Sequence, residues 1–372
     1  MDGNRKTPDA AWWDHVTGPS RFVVDVASAL QSGKSVFFSA RIPFCKTFFK
    51  RVADTLRLTD NTLLFDIDDM IETKEDPGKY LIKRYNLSDK YRSHESAAEC
   101  LKRNGALNNR LLPVVAEREG VGKWIDFIRA YMSNKPTKLQ DGHCLFLLKT
   151  DDGVSATSIK CLRVLDYHKL VSEYDSLLFA GLISDKSALS VSENRYISAL
   201  SVSLFGKNAE GIADFIDKYK IDLCPQDVLP QGVFSTEESV YKLWNAQVQE
   251  LFPLIMRETR EFIETWRTTI DETFKSIKEE RDYPGSPFSQ GLLNTYKEPV
   301  DSPDDLELAT IIFLMRNKRR NKSGYETHEF LLYIPDEPAR ERIKLLYEMR
   351  NNIAHGKVCS ESDVVRLLRK QQ

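Results

Sequence analysis

The chain has no C-x-x-C pair, no Cys/His spacing suited to a metal, no long apolar run and no surplus of charge of either sign. Each absence excludes something. The six cysteines (Cys45, Cys100, Cys144, Cys161, Cys224, Cys359) are scattered, which argues against a zinc site or a disulfide frame and for reduced thiols. A membrane helix needs roughly 18 or more consecutive apolar residues, and none are present. Met1 to Trp13 is polar, without the apolar centre of a signal peptide, so the expectation is a cytoplasmic protein with no membrane partner. A net charge of −2 gives no overall attraction to nucleic acid and no DNA-specific signal; any such binding must come from a local patch. No repeat at a fixed period is visible.

What is present is an ordinary globular balance: 372 residues, 41% hydrophobic and 29% charged, enough for two domains. The N-terminal part alternates strands and helices. A helix over Ser20–Gln31 is stopped by Ser32-Gly33, a strand covers 35–40, and helix resumes at Thr47–Leu56. Thr62–Ile67 reads as a strand ending in Asp66, followed by Asp68 and Asp69. Helical patterns follow at 79–85, 93–104, 111–116 and 124–132, then strands at 143–150 and 159–165. Such alternation predicts an α/β domain on a parallel sheet. Three further helices are expected between 167 and 220, with Leu170, Tyr174, Leu177, Leu178 and Leu182 as a face packed on the sheet domain. A linker over 222–236 separates residues 1–222 from an all-α bundle over 237–372. That bundle opens with a long amphipathic helix to about Glu280, which Pro253 should kink or divide.

Two stretches carry chemistry. The first, Ala40-Arg41-Ile42-Pro43-Phe44-Cys45-Lys46-Thr47, follows a strand and has the length of G-x-x-x-x-G-K-[ST], with both glycines replaced. It resembles a degenerate phosphate loop of the P-loop NTPases. Lys46 and Thr47 are the candidate nucleotide contacts. Without the glycines the backbone N–H groups curl less readily around phosphates. The strand from Cys144 ends in Lys149, where such a domain would carry a magnesium-holding acid; Asp151 and Asp152 lie beyond it in a turn, and Asp66 follows the loop closely. The resemblance implies at most residual ATP binding, no required cofactor and no appreciable hydrolysis.

The second stretch is Arg350-Asn351-Asn352-Ile353-Ala354-His355-Gly356. It follows a helical run (Ile343, Leu345, Leu346, Met349) and precedes a helix start at Ser360. An arginine can grip a phosphate with a planar fork, and a histidine titrates near neutral pH. The spacing resembles the R-N-x-x-x-H signature of HEPN domains, helical bundles common among prokaryotic ribonucleases, toxins and anti-phage defence proteins. The resemblance implies a metal-independent endoribonuclease or RNA-binding effector, with Arg350, Asn351 and His355 as catalytic residues and a homodimer or larger defence complex as the working assembly. Arg350 and Asn351 could instead cap helix ends and His355 satisfy a buried carbonyl, which would make the chain a non-catalytic scaffold. Arg316, Lys318, Arg319, Arg320 and Lys322, in an expected loop, are the candidate RNA contacts.

Overall fold

The computed structural model describes residues 7–59, 66–67, 69–133, 144–151, 162–184, 189–221, 223, 225–228 and 236–369. His143, Asp68, Asp152, Cys161, Cys224 and most of the expected 62–67 strand and 222–236 linker lie outside them. The chain forms two compact units. One comprises residues 1–183 with 205–214, the other 184–204 with 215–372, a division that differs from a single cut between 222 and 237.

In the first unit, a short α1 (Pro8–Ala10) runs into a wide turn at Ala11–His15, then α2 (Thr17–Gln31), β1 (Ser35–Ser39) and α3 (Cys45–Thr59). Gly33, at φ 74°, closes α2, and the Lys34 N–H reaches back to Ala29 O at 3.1 Å, a left-handed C-cap open to glycine without strain. There follow β2 (Asp66–Ile67), β3 (Ile71–Glu72), α4 (Pro77–Arg84), α5 (Ala97–Arg103), β4 (Arg110–Ala116), α6 (Arg118–Met132), β5 (Cys144–Thr150), β6 (Leu162–Val164), α7 (Tyr167–Leu170) and α8 (Glu173–Ser184). The sheet order is β2-β4-β5-β1-β6, with β3 also on β4, and every pairing is parallel. The α/β expectation holds.

One element differs from expectation. Leu111–Ala116, expected to be helical, is strand β4, paired along its whole length with β5. Its residues are buried nearly throughout, and a continuous apolar run carries no period to separate a two-sided strand from a core helix. Pro113 stands opposite the gap between β2 and β3, where a residue without an N–H is tolerated. A second expectation also fails. Tyr174, Leu177, Leu178 and Leu182 of α8 are exposed; the helix buries Ser176, Phe179 and Ala180 instead.

Beneath β1 an aromatic cluster ties the helices to the sheet. Phe22 sits 5.4 Å from Phe38, 5.6 Å from Phe48 and 5.2 Å from Tyr167, centroid to centroid. Trp13 lies 5.0 Å from Phe48.

The second unit is largely helical. After α9 (Val191–Phe205), α10 (Ala209–Lys218), both shared between the units, and α11 (Pro225–Val228) comes α12 (Thr236–Thr265). This helix runs through Pro253; the chain breaks at Trp266 (φ −104°, ψ 17°) before α13 (Arg267–Glu280). Then come α14 (Leu308–Arg316), β7 (Lys318–Arg320), β8 (Glu326–Phe330), α15 (Glu337–Ala354) and α16 (Glu361–Leu368). The all-α expectation is therefore corrected: β7, within the expected basic loop, pairs with β8 as an antiparallel hairpin. Arg342 joins α15 to α12 through a two-pronged contact on Glu258, at 2.7 and 2.9 Å. Among the described residues no helix is long and apolar enough to cross a membrane.

Phe22 contacts three rings and is fully buried. Phe22→Ala should therefore cost about 3–5 kcal/mol, the usual range for emptying such a site. The measurement is the urea midpoint followed by near-ultraviolet circular dichroism; a loss under 1 kcal/mol would mean that the cluster collapses freely around the void.

Candidate functional site

The R-N-x-x-x-H stretch is carried by the last turn of α15 and the turn after it. Arg350 and Asn351 lie inside the helix, not beyond its end, and His355 is its C-cap. Asn351 and His355 are four residues apart and share one side of the helix. The Arg350 Nη1 donates to Asn351 Oδ1 at 3.2 Å, so the amide steadies the guanidinium. His355 is exposed, and among the described residues no side chain holds its imidazole. Gly356, at φ 71°, turns the chain, and the N–H groups of Gly356 and Lys357 reach back to the carbonyls of Ile353 and Asn352.

The turn is fastened from behind by α12. The Trp244 indole N–H donates to Ile353 O at 2.8 Å. Gln247, buried, accepts from the Cys359 N–H at 2.7 Å and donates to Cys359 O at 3.2 Å; its amide also lies 3.4 Å from the Tyr196 hydroxyl. The Cys359 thiol is itself buried and reaches Met349 O, and burial pushes its pKa up to about 12. It serves as packing, not as a nucleophile. Ser360 caps α16 by accepting from the Asp363 N–H. Sequence reasoning missed Gln247, although a signal existed: it falls between Leu243 and Leu251 at helical spacing, a polar residue on a face that is otherwise apolar.

The basic residues lie on a different element from this motif. The hairpin leads through residues 331–336 into the N-terminal end of α15, whereas His355 caps the other end. With 18 residues in α15, those ends are about 27 Å apart at 1.5 Å per residue. Nor are the five cations equivalent. The Arg320 guanidinium donates to Gly324 O at 2.9 Å and lies 3.8 Å from Glu326. Arg319 is half-buried, with its Nε enclosed, near the buried carboxyl of Glu280, whose pKa is raised by desolvation despite a hydrogen bond from the Arg320 backbone and the charges of Arg319 and Arg320. Arg316, Lys318 and Lys322 stand in solvent.

In the first unit, open α/β sheets bind ligands outside the carboxyl ends of adjacent strands whose connections leave in opposite directions. Here those strands are β1 and β5. β1 connects toward the β2 edge, β5 toward β6 on the other side. Ala40–Thr47 follows β1, and Lys149, buried one residue before the end of β5, sets its ammonium on Asp151 Oδ1 at 2.5 Å. The chain fills this position with its own carboxylates. The Phe44 N–H, at φ 49°, donates to Glu210 Oε1 at 2.7 Å. The Thr47 hydroxyl donates to Asp9 Oδ2 at 2.8 Å, and hydrogen bonds from Thr7 and Thr47 hold the Asp9 carboxyl below its usual range. Burial, and then the surrounding carboxylates against the opposing charge of Lys149, pushes the Cys45 thiol up to about 11. Lys46 is exposed. Nothing in the local sequence announces Asp9 or Glu210, because their role depends on tertiary contact. Among the described residues no group of His, Cys, Asp and Glu could hold a metal ion.

The fastening of the motif is testable. Gln247→Ala leaves two buried backbone groups of Cys359 without partners, at about 1–3 kcal/mol. The expected result is faster amide exchange confined to 353–360, and labelling of Cys359 by a maleimide that leaves the wild-type thiol unmodified; unchanged exchange would mean that Trp244 alone holds the turn. Neither the family models nor the curated proteins compared with this chain give a match.

Proposed function

We propose that the second unit is a metal-independent endoribonuclease of the HEPN kind, working as a homodimer or in a larger complex of an anti-phage defence or toxin system. The observation that carries this reading is an exposed imidazole with no side-chain partner among the described residues, on a turn fastened from behind by Trp244 and Gln247. A histidine kept for stability would be buried or bonded. One that transfers protons must be positioned and free.

In this reading His355 takes the proton of a ribose 2′-OH. The 2′ oxygen attacks the adjacent phosphorus, the bond to the 5′ oxygen breaks, and the leaving oxygen receives a proton from the protonated histidine of the same or the second protomer. Arg350 holds the non-bridging oxygens as charge grows on them, and Asn351 orients it. The products are a 2′,3′-cyclic phosphate and a 5′-hydroxyl.

His355→Ala should lose about 10²–10⁴-fold in cleavage of a labelled RNA pool, the usual contribution of a general acid or base, with an unchanged melting curve. Arg350→Lys should also be impaired, since an ammonium cannot grip two oxygens in a plane. Cleavage should persist in EDTA. A wild-type dimer that cuts nothing, or a His355→Ala protein that unfolds, would return the histidine to a structural role.

A second reading, a non-catalytic scaffold, draws on the first unit, where Asp9 and Glu210 already engage the groups that a nucleotide and its magnesium would need. For that unit we infer a degenerate P-loop domain that senses or assembles without turning over ATP. ATP should bind weakly, if at all, and Lys46→Ala should leave a near-zero hydrolysis rate unchanged. Robust Mg²⁺-dependent turnover lost in Lys46→Ala would overturn this.

A further inference from the structure

The hairpin combines cations with exposed rings. Between Arg316 and Phe330 the chain carries five cations and two carboxylates, within a protein whose net charge is −2. Lys318 is paired directly across the ladder from Phe330, so an ammonium and a phenyl ring stand side by side. His328, two residues earlier on the same strand, is exposed, and the ladder shifts register between this pair and Arg320–Glu326. Tyr325 at the turn, Phe330 and Tyr333 are 73%, 39% and 60% exposed, unusual for rings that could have joined the core a few residues away. Lys322, in the turn, is exposed beside them.

The hairpin itself is built to keep this shape. Gly324, at φ 84°, lies so close to Pro284 that an added Cβ would meet its carbonyl oxygen. Asn321 Oδ1 accepts from the N–H groups of Ser323 and Tyr325. Arg320 braces the turn through Gly324 O, and Leu331 N–H bonds Asn317 O at the base. Glu326 is engaged by Arg320, which leaves Glu329 as the carboxylate to set against Arg316, Lys318 and Lys322.

Cations spaced between rings are what a single strand of nucleic acid requires: phosphates are neutralised while unpaired bases lie on aromatic faces. A base in a duplex has no free face to offer. We infer that the β7–β8 hairpin is a platform for single-stranded nucleic acid, with Phe330 and Tyr325 stacking bases and Lys318 and Lys322 contacting phosphates. This rests on the nucleic-acid reading above and names its ligand as unpaired strands of either sugar. It also assigns binding to a place separate from the His355 end of α15.

The test uses the full chain with fluorescein-labelled dT30, rU30 and a 30-base-pair duplex. Because dT30 has no 2′-OH, its binding is independent of cleavage, and a protein that binds dT30 yet cuts no RNA would sink the ribonuclease reading while leaving the platform intact. Expected are comparable affinities for dT30 and rU30, with the duplex weaker. Phe330→Ala and Tyr325→Ala should each weaken dT30 binding by about 5- to 150-fold, the size of one lost stack. Phe330→Trp, which keeps a flat ring, should retain it and shows that the hairpin still folds. The double variant Lys318→Glu, Lys322→Glu should flatten the slope of log affinity against log salt by about 1.4, at about 0.7 per phosphate contact on single strands. No binding of dT30 or rU30 by wild type, an equal affinity for the duplex, or wild-type affinity in Phe330→Ala would each overturn the inference.

Discussion

A single buried amide organises the C-terminal site. Gln247 exchanges both hydrogen bonds with the backbone of Cys359, as a neighbouring strand would, but from a helix. In a dry interior neither partner can turn to water, so separating them costs the desolvation of each group. The turn from Ala354 to Ser360 is thereby held on α12, and with it the register of α16 beneath its Ser360 cap. Trp244 adds a second attachment one helical turn away. His355 thus presents an exposed side chain from a backbone that is hydrogen-bonded on both sides.

The first unit shows the opposite economy. At the carboxyl ends of β1 and β5, the N–H of Phe44 and the hydroxyl of Thr47 are both satisfied by carboxylates of the same unit. An incoming polyphosphate would compete with groups already in place and would meet their charge. Ala40 and Cys45, standing where a phosphate loop would carry glycines, and the engagement of the Phe44 and Thr47 donors act in the same direction. The loop is part of the packing.

The sequence made some of this legible and hid the rest for identifiable reasons. The parallel sheet could be read from alternating strands and helices, and the stop at Gly33 and the start at Ser360 from local cap chemistry. β4 was hidden because Leu111–Ala116 is apolar on both faces. The outward face of α8 was hidden because Tyr174, Leu177, Leu178 and Leu182 have the spacing of a buried stripe, and spacing alone does not say which side faces the core. The motif residues were visible as types, yet the hairpin that carries Lys318 was not: Lys-Arg-Arg-Asn-Lys reads as a solvated loop until its pairing with β8 is known. Asp9 and Glu210 are ordinary surface acids in one dimension.

The edges of the large sheet have one more consequence. On one side β4 meets β2 and β3, two residues each, with Pro113 facing the gap between them; on the other, β6 offers Leu162–Val164. Among the described residues, an invading strand finds no long, regular row of free backbone groups on which to align. Cross-strand addition, the shortest route from a parallel α/β core to an uncontrolled polymer, is thereby disfavoured.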